Sequence, residues 1–116
     1  MILLSRRSFA LSTLLAPILR GGTAPDTTNV PGKVICHLPK SGGRYIGSPS
    51  IVELPNGDYV ASHDIFGPES EHRRSRLYRS RDRGATWAKI AELDGAFWSS
   101  LFVHRGMLYM LGVDRQ

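Results

Sequence analysis

The sequence predicts an all-β domain, and three observations carry the prediction. Short runs of β-type residues follow one another closely, turn-forming residues separate them, and no stretch shows a convincing helical apolar period. The first run covers 33–38 and stops at Pro39, after which Lys40-Ser41-Gly42-Gly43 reads as a loop. The second covers 48–54 and leads into Pro55-Asn56-Gly57-Asp58. Asn-Gly is the strongest short hairpin signal, because both residues tolerate the positive φ that such turns require. A third run covers 59–65, and Gly67-Pro68-Glu69-Ser70-Glu71 breaks it as a polar loop. A fourth at 75–80 and a fifth at 86–93 flank a tight turn, and Asp94-Gly95 marks another reversal. The runs at 98–104 and 107–113 form a last hairpin around Arg105-Gly106. Four runs within 48–93, each turning back on the one before, predict a four-stranded antiparallel meander.

The amino terminus reads differently. Ser5-Arg6-Arg7-Ser8-Phe9 precedes the apolar run 10–19, which gives a charged region followed by a short hydrophobic one. Paired arginines before a phenylalanine resemble a twin-arginine signal, a bacterial export address. The apolar run is shorter than the roughly 20 residues that a membrane span needs, and Pro17 and Arg20 count against a span as well. Residues 1–24 are therefore expected to be a signal peptide read by the export machinery, with the mature protein periplasmic or extracellular. An ordinary amphipathic helix is the alternative. Residues 21–33 are small, polar and turn-forming, so 25–33 reads as a linker ahead of the domain at 34–116.

Net charge follows the same division. Of the 15 Lys and Arg side chains, Arg6, Arg7 and Arg20 lie in the leader, leaving 12 basic against 10 acidic. The +5 of the whole chain is mostly an address label. A nucleic-acid partner, which wants a sustained basic stripe on the folded part, is not expected. Arg73, Arg74, Arg76, Arg79, Arg81 and Arg83 remain as a local cluster, but alternate residues of a strand face opposite sides. They read as solvated strand and turn charges. Cys36 is the single cysteine, so no intrachain disulfide can form, and its apolar neighbours Val34 and Ile35 predict a buried, inert thiol.

Residues 80–87 read Ser-Arg-Asp-Arg-Gly-Ala-Thr-Trp. Asp82 is placed to accept hydrogen bonds from backbone N–H groups ahead of it, and the Ser80 hydroxyl can join that network. Gly84 suits the positive φ that reverses the chain. Thr86 and Trp87 open the return strand, with the indole covering the turn and its N–H seeking a partner at the rim. The pattern Ser-x-Asp-x-Gly-x-Thr-Trp resembles the Asp-box, or BNR repeat, of the sialidase-like proteins, and all five specified positions are present. The resemblance extends from about residue 45 onward, where 50–58, Ser-Ile-Val-Glu-Leu-Pro-Asn-Gly-Asp, looks like the opening hairpin of such a blade. It implies a sialidase-like β-propeller in which the box joins the third and fourth strands of a blade, away from the active site. Propellers close with about 4–8 blades, six in this family. On that reading the chain carries one four-stranded blade plus part of a second, as an N-terminal fragment of a longer protein. Such a fragment leaves sheet faces and edges unpaired and is expected to be marginal or aggregation-prone. A complete small β-sandwich is the competing architecture.

The resemblance further implies a fragment of an exported glycoside hydrolase acting on glycans, with a non-catalytic propeller that binds carbohydrate or a protein partner as the alternative. Sialidase-like enzymes carry Arg-Ile-Pro at the start of the first blade, whose Arg clamps the substrate carboxylate. This chain has Gly47-Ser48-Pro49 there, and Phe66 near where a further arginine is expected. Both departures count against sialic acid as the substrate. The candidates left at the mouth are Asp64 as an acid/base carboxylate and Arg44, His63 and Trp98 as substrate-binding residues, while Ser80, Asp82, Gly84, Thr86 and Trp87 are structural. Asp64 has a structural alternative, since it ends a strand. Glu69, Glu71 and His104 read as solvated. No zinc, phosphate-loop or dinucleotide motif occurs, so no metal and no cofactor are implied.

Overall fold

The computed structural model describes residues 25–114, and the proposed leader at 1–24 lies outside them. After one 3-10 turn at Lys40–Gly42 come six strands: β1 (Tyr45–Glu53), β2 (Tyr59–Phe66), β3 (Arg74–Ser80), β4 (Ala88–Asp94), β5 (Ala96–His104) and β6 (Met107–Asp114). The chain is all-β. Strands β1 to β4 make one antiparallel sheet in chain order, and β5 and β6 make a second, two-stranded antiparallel sheet.

Each turn has a local cause. Between β1 and β2, the Leu54 N–H donates to the Asp58 carbonyl at 2.8 Å and the Gly57 N–H to the Leu54 carbonyl at 2.8 Å. The Asn56 side chain accepts from the Asp58 N–H at 3.2 Å, closing the same turn from outside. Between β5 and β6 only Arg105 and Gly106 intervene, with φ of 49° and 78°. Two consecutive positive φ values give the twist that matches flanking antiparallel strands.

Three expectations change. The run 33–38 is not a strand: it lies against the flat face of the first sheet, where Lys33 to Cys36 border a cavity of about 520 Å³ together with Ile46, Ile51 and His63. Its β-forming composition does not make it a strand, because β propensity expresses packing context more than a backbone preference. Cys36, expected to be buried, is half-buried in that segment. The fifth run also begins later than predicted, at Ala88, because the Thr86 N–H is already given to Asp82 at 2.8 Å and cannot enter a ladder.

The two sheets meet face to face, with β5 lying on β1 and, to a lesser degree, on β2 and β3. Val60, Leu77 and Leu101 form the buried centre of this contact, and Val52, Leu54, Ala91, Leu108 and Met110 pack around it. These positions alternate along their strands, as a sheet buried on one face requires. The arginines of the β3 region are neutralised on the surface: Arg73 pairs with Asp94 at 2.8 Å, Arg76 with Glu92 at 2.9 Å, and Arg79 with Asp58. Lys89 and Arg76 together hold the Glu92 carboxyl down at about 2, against the usual 4.5.

The first strand of each sheet carries the same defect. The β1–β2 register jumps between Gly47 and Ser50, and the β5–β6 register jumps between Phe97 and Ser100. At the second residue of each jump, Ser48 and Trp98 both adopt a left-handed φ of 48°. For a residue with a side chain that conformation costs roughly 1–2 kcal/mol. The same costly bulge at the same place marks β1–β2 and β5–β6 as equivalent hairpins, with β1 and β5 related by a shift of fifty positions and β2 and β6 by forty-nine.

Candidate functional site

Aromatic rings gather where β1 and β5 begin and β2 ends. Tyr45 stacks on Phe66 with ring centroids 5.8 Å apart, Phe66 meets Phe97 at 4.6 Å, and Phe97 stacks on Trp98 at 5.6 Å. His72, from the loop before β3, fills the angle between Phe66 and Phe97 at 6.1 and 5.6 Å. Phe97 is buried and holds the row together. The outermost rings are open, Tyr45 at 57% and Trp98 at 65% exposure. Trp98 lies at the bulge in β5, exposed between the buried Phe97 and Ser99 as the alternation of the strand requires. Glycine 47 is required beneath the row: a Cβ there would meet the Phe66 ring at 2.5 Å.

Arg44 is exposed and directly precedes Tyr45, beside a shallow depression shared with His37, Lys40 and Pro68. Arg44 thus flanks the aromatic row beside Tyr45, and Trp98 forms the other end of the row. His63 does not join them. It is buried on β2 with its ring stacked on Tyr78 at 5.5 Å and its Nε2 3.3 Å from the Tyr78 hydroxyl. Burial holds its pKa below the usual 6.5, so the neutral ring is favoured. Burial, reinforced by the Cys36 thiol, pushes the Tyr78 hydroxyl up to about 12. His63 lines the inner wall of the cavity under the 33–36 segment and belongs to the packing of that face.

Asp64 is 0% exposed. One carboxylate oxygen accepts the Ser75 hydroxyl and the other accepts the Ser99 N–H at 2.8 Å. The Ser75 oxygen also lies 3.0 Å from the Ala96 carbonyl and 3.0 Å from Ser99 Oγ. This knot ties β2 and β3 to β5 across the two sheets. A carboxylate so enclosed offers no oxygen to a ligand, and its surroundings describe the structural role.

The turn at 80–87 is built by its own side chains. Asp82 accepts the Thr86 N–H at 2.8 Å and the Thr86 hydroxyl at 2.5 Å, and Ser80 donates to it at 2.7 Å. The Ser80 oxygen accepts the Gly84 N–H at 2.7 Å, and Gly84 takes a φ of 89°. Trp87 folds back so that its Nε1–H reaches the Gly84 carbonyl at 3.1 Å. The Thr86 side chain, then its N–H, then Ser80 hold the Asp82 carboxyl at about 2. Its three hydrogen bonds are all made inside the turn, and they fix the chain reversal.

Tyr45, Phe66, His72 and Phe97 are contributed by different elements, and no single stretch of sequence announces that they meet. The available signal was the recurrence of aromatics at strand ends. Among the described residues no group of three or more His, Cys, Asp and Glu is placed to hold a metal ion, and no helix is long and apolar enough to cross a membrane. No protein-family model, no curated protein and no solved structure matches the chain.

Proposed function

We propose that the chain is part of an exported, sialidase-like β-propeller that engages glycans, in which the described residues serve as scaffold and as one side of a ligand-binding mouth. The observation that carries this reading is the aromatic row, open at both ends at Tyr45 and Trp98 and packed rigidly between them. Exposed rigid aromatic faces suit the apolar face of a sugar ring, and a neighbouring arginine such as Arg44 suits its hydroxyls or a carboxylate. The repeated hairpin with its matching bulge and the self-bonded turn at 80–87 support a radial, repeating architecture. Binding is tested on an immobilised glycan panel. Trp98→Ala is expected to lose the signal while the β-sheet circular dichroism stays unchanged; retention of binding in that variant overturns the reading.

The hydrolase alternative requires an acid/base carboxylate in reach of the scissile bond. Asp64 is sealed in the sheet interface, and this favours the binding role for the residues described. Fluorogenic glycosides incubated with the chain are expected to remain uncleaved. Turnover above the blank that disappears in Asp64→Asn at unchanged fold would restore the enzymatic reading. Export rests on the leader at 1–24: a reporter fused behind it is expected outside the cytoplasm, and Arg6→Lys with Arg7→Lys should retain it inside.

A further inference from the structure

The turn between β1 and β2 sets two reactive groups side by side and then ties each of them to another partner. Asn56 is exposed, and Gly57 follows it. The Gly57 φ of 84° is what calls for glycine there, since a Cβ at that position would meet nothing within 4 Å. Its chemical consequence is an unshielded backbone nitrogen next to a side-chain carboxamide, the arrangement from which a five-membered succinimide closes. The folded turn obstructs that closure on both sides. The attacking nitrogen is committed elsewhere, because the Gly57 N–H donates to the Leu54 carbonyl at 2.8 Å. The carboxamide is fastened to Asp58: its oxygen accepts the Asp58 N–H at 3.2 Å and its nitrogen donates to Asp58 Oδ2 at 3.1 Å. Arg79 holds Asp58 in turn from β3, through Nε at 2.7 Å and through Nη2. Comparable dipeptides in the chain each lack one requirement. Asn29, the only other asparagine, precedes Val30, whose branched side chain shields its nitrogen. Asp94 precedes Gly95, but its carboxylate is paired with Arg73 at 2.8 and 2.9 Å, and an ionised carboxylate is a poor electrophile.

We propose that Asn56 is a self-modification site that the fold keeps closed: when the turn opens, the Gly57 nitrogen attacks the Asn56 side-chain carbonyl carbon. The new C–N bond forms as the bond to Nδ2 breaks, and ammonia leaves with the Gly57 proton. Water then opens the succinimide at one of its two imide bonds, giving aspartate or isoaspartate. The product does not restore the turn. An aspartate removes the Nδ2 donor and sets a second carboxylate against Asp58, where like charges repel. An isoaspartate also adds one atom to the main chain between the Leu54 carbonyl and the Gly57 N–H, which takes that pair out of hydrogen-bonding register. Local opening of a turn costs less than global unfolding, so the reaction proceeds from an otherwise folded chain. Each opening that reacts is recorded irreversibly, and the modified fraction measures how often the hairpin end has opened. The inference is independent of the glycan reading.

The full chain is incubated at mildly alkaline pH in native buffer and in guanidinium chloride, and Asn56 and Asn29 are followed by peptide mass spectrometry. In denaturant Asn56 is expected to convert to aspartate and isoaspartate while Asn29 persists. In native buffer the conversion should be slower by about tenfold or more, the factor that an opening cost of about 1.4 kcal/mol imposes. Asp58→Ala frees the carboxamide and leaves Asn56-Gly57 intact. In native buffer it should convert about threefold or more faster than the parent, as loss of one net hydrogen bond predicts, and in denaturant at the parent's rate. Arg79→Ala serves in its place if that variant loses its β-sheet spectrum. The isolated isoaspartate product should exchange its Gly57 amide hydrogen faster than the parent does. An Asn56 that survives in denaturant, a native rate equal to the denatured one, an Asp58 variant no faster than the parent in native buffer, or a product with the parent's amide protection overturns the proposal.

Discussion

Replacing Asp64 by alanine removes the acceptor that fastens β5 to the first sheet. Two hydrogen bonds to an ionised group are lost, each contributing about 1.5–3 kcal/mol. Ser75 keeps partners in the Ala96 carbonyl and Ser99 Oγ, so the group left stranded is the Ser99 N–H, at a further cost of about 1–3 kcal/mol. Relief of the desolvation cost of a buried carboxylate works in the opposite direction. A net loss of about 3 kcal/mol follows from these opposing contributions. In a domain of this size each kcal/mol shifts the melting temperature by about 4–8 °C, so a drop of about 12–24 °C or loss of the transition is expected. Asp64→Asn should be milder, because its carbonyl can still accept from Ser99 and its amide can donate to Ser75. Melting followed by circular dichroism at one fixed protein concentration measures both. An alanine variant that melts with the parent, or an asparagine variant as damaging as the alanine, would refute the reasoning.

Ser75→Ala and Ser62→Ala should diverge sharply under the same denaturant titration. Ser75 Oγ lies within hydrogen-bond distance of Asp64, Ala96 and Ser99 and its loss should cost about 2–3 kcal/mol, whereas buried Ser62 Oγ has no partner among the described residues and its removal should be neutral or stabilising by up to about 1 kcal/mol. Acid should weaken the 80–87 turn. The folded Asp82 carboxyl sits at about 2 against an ordinary 3.8, so its contribution is complete above 3.8 and is lost as the pH falls through about 2. Near-ultraviolet circular dichroism of Trp87 should report that loss, and Asp82→Ala should weaken the turn at neutral pH and flatten its acid dependence.

Local chemistry made part of this protein legible from its sequence. Asn56-Gly57, Arg105-Gly106 and the octapeptide at 80–87 specify their turns through contacts a few residues apart, and those turns in succession dictate an antiparallel meander. The all-β class and the six strands follow from them. The exception at 33–38 is instructive, because its residues suit a strand and yet it packs beside the first sheet without joining a ladder. Tertiary structure alone decided the rest. Ser48 and Trp98 adopt left-handed backbones that nothing in their side chains favours, so the bulges that make the hairpins equivalent could not be read in advance. The Ser99 N–H that captures Asp64 comes from 35 positions away, and the rings of the aromatic row come from different strand ends and a loop. Contacts within a turn are specified by neighbours in the chain, whereas a burial site exists only after the two sheets have closed on each other.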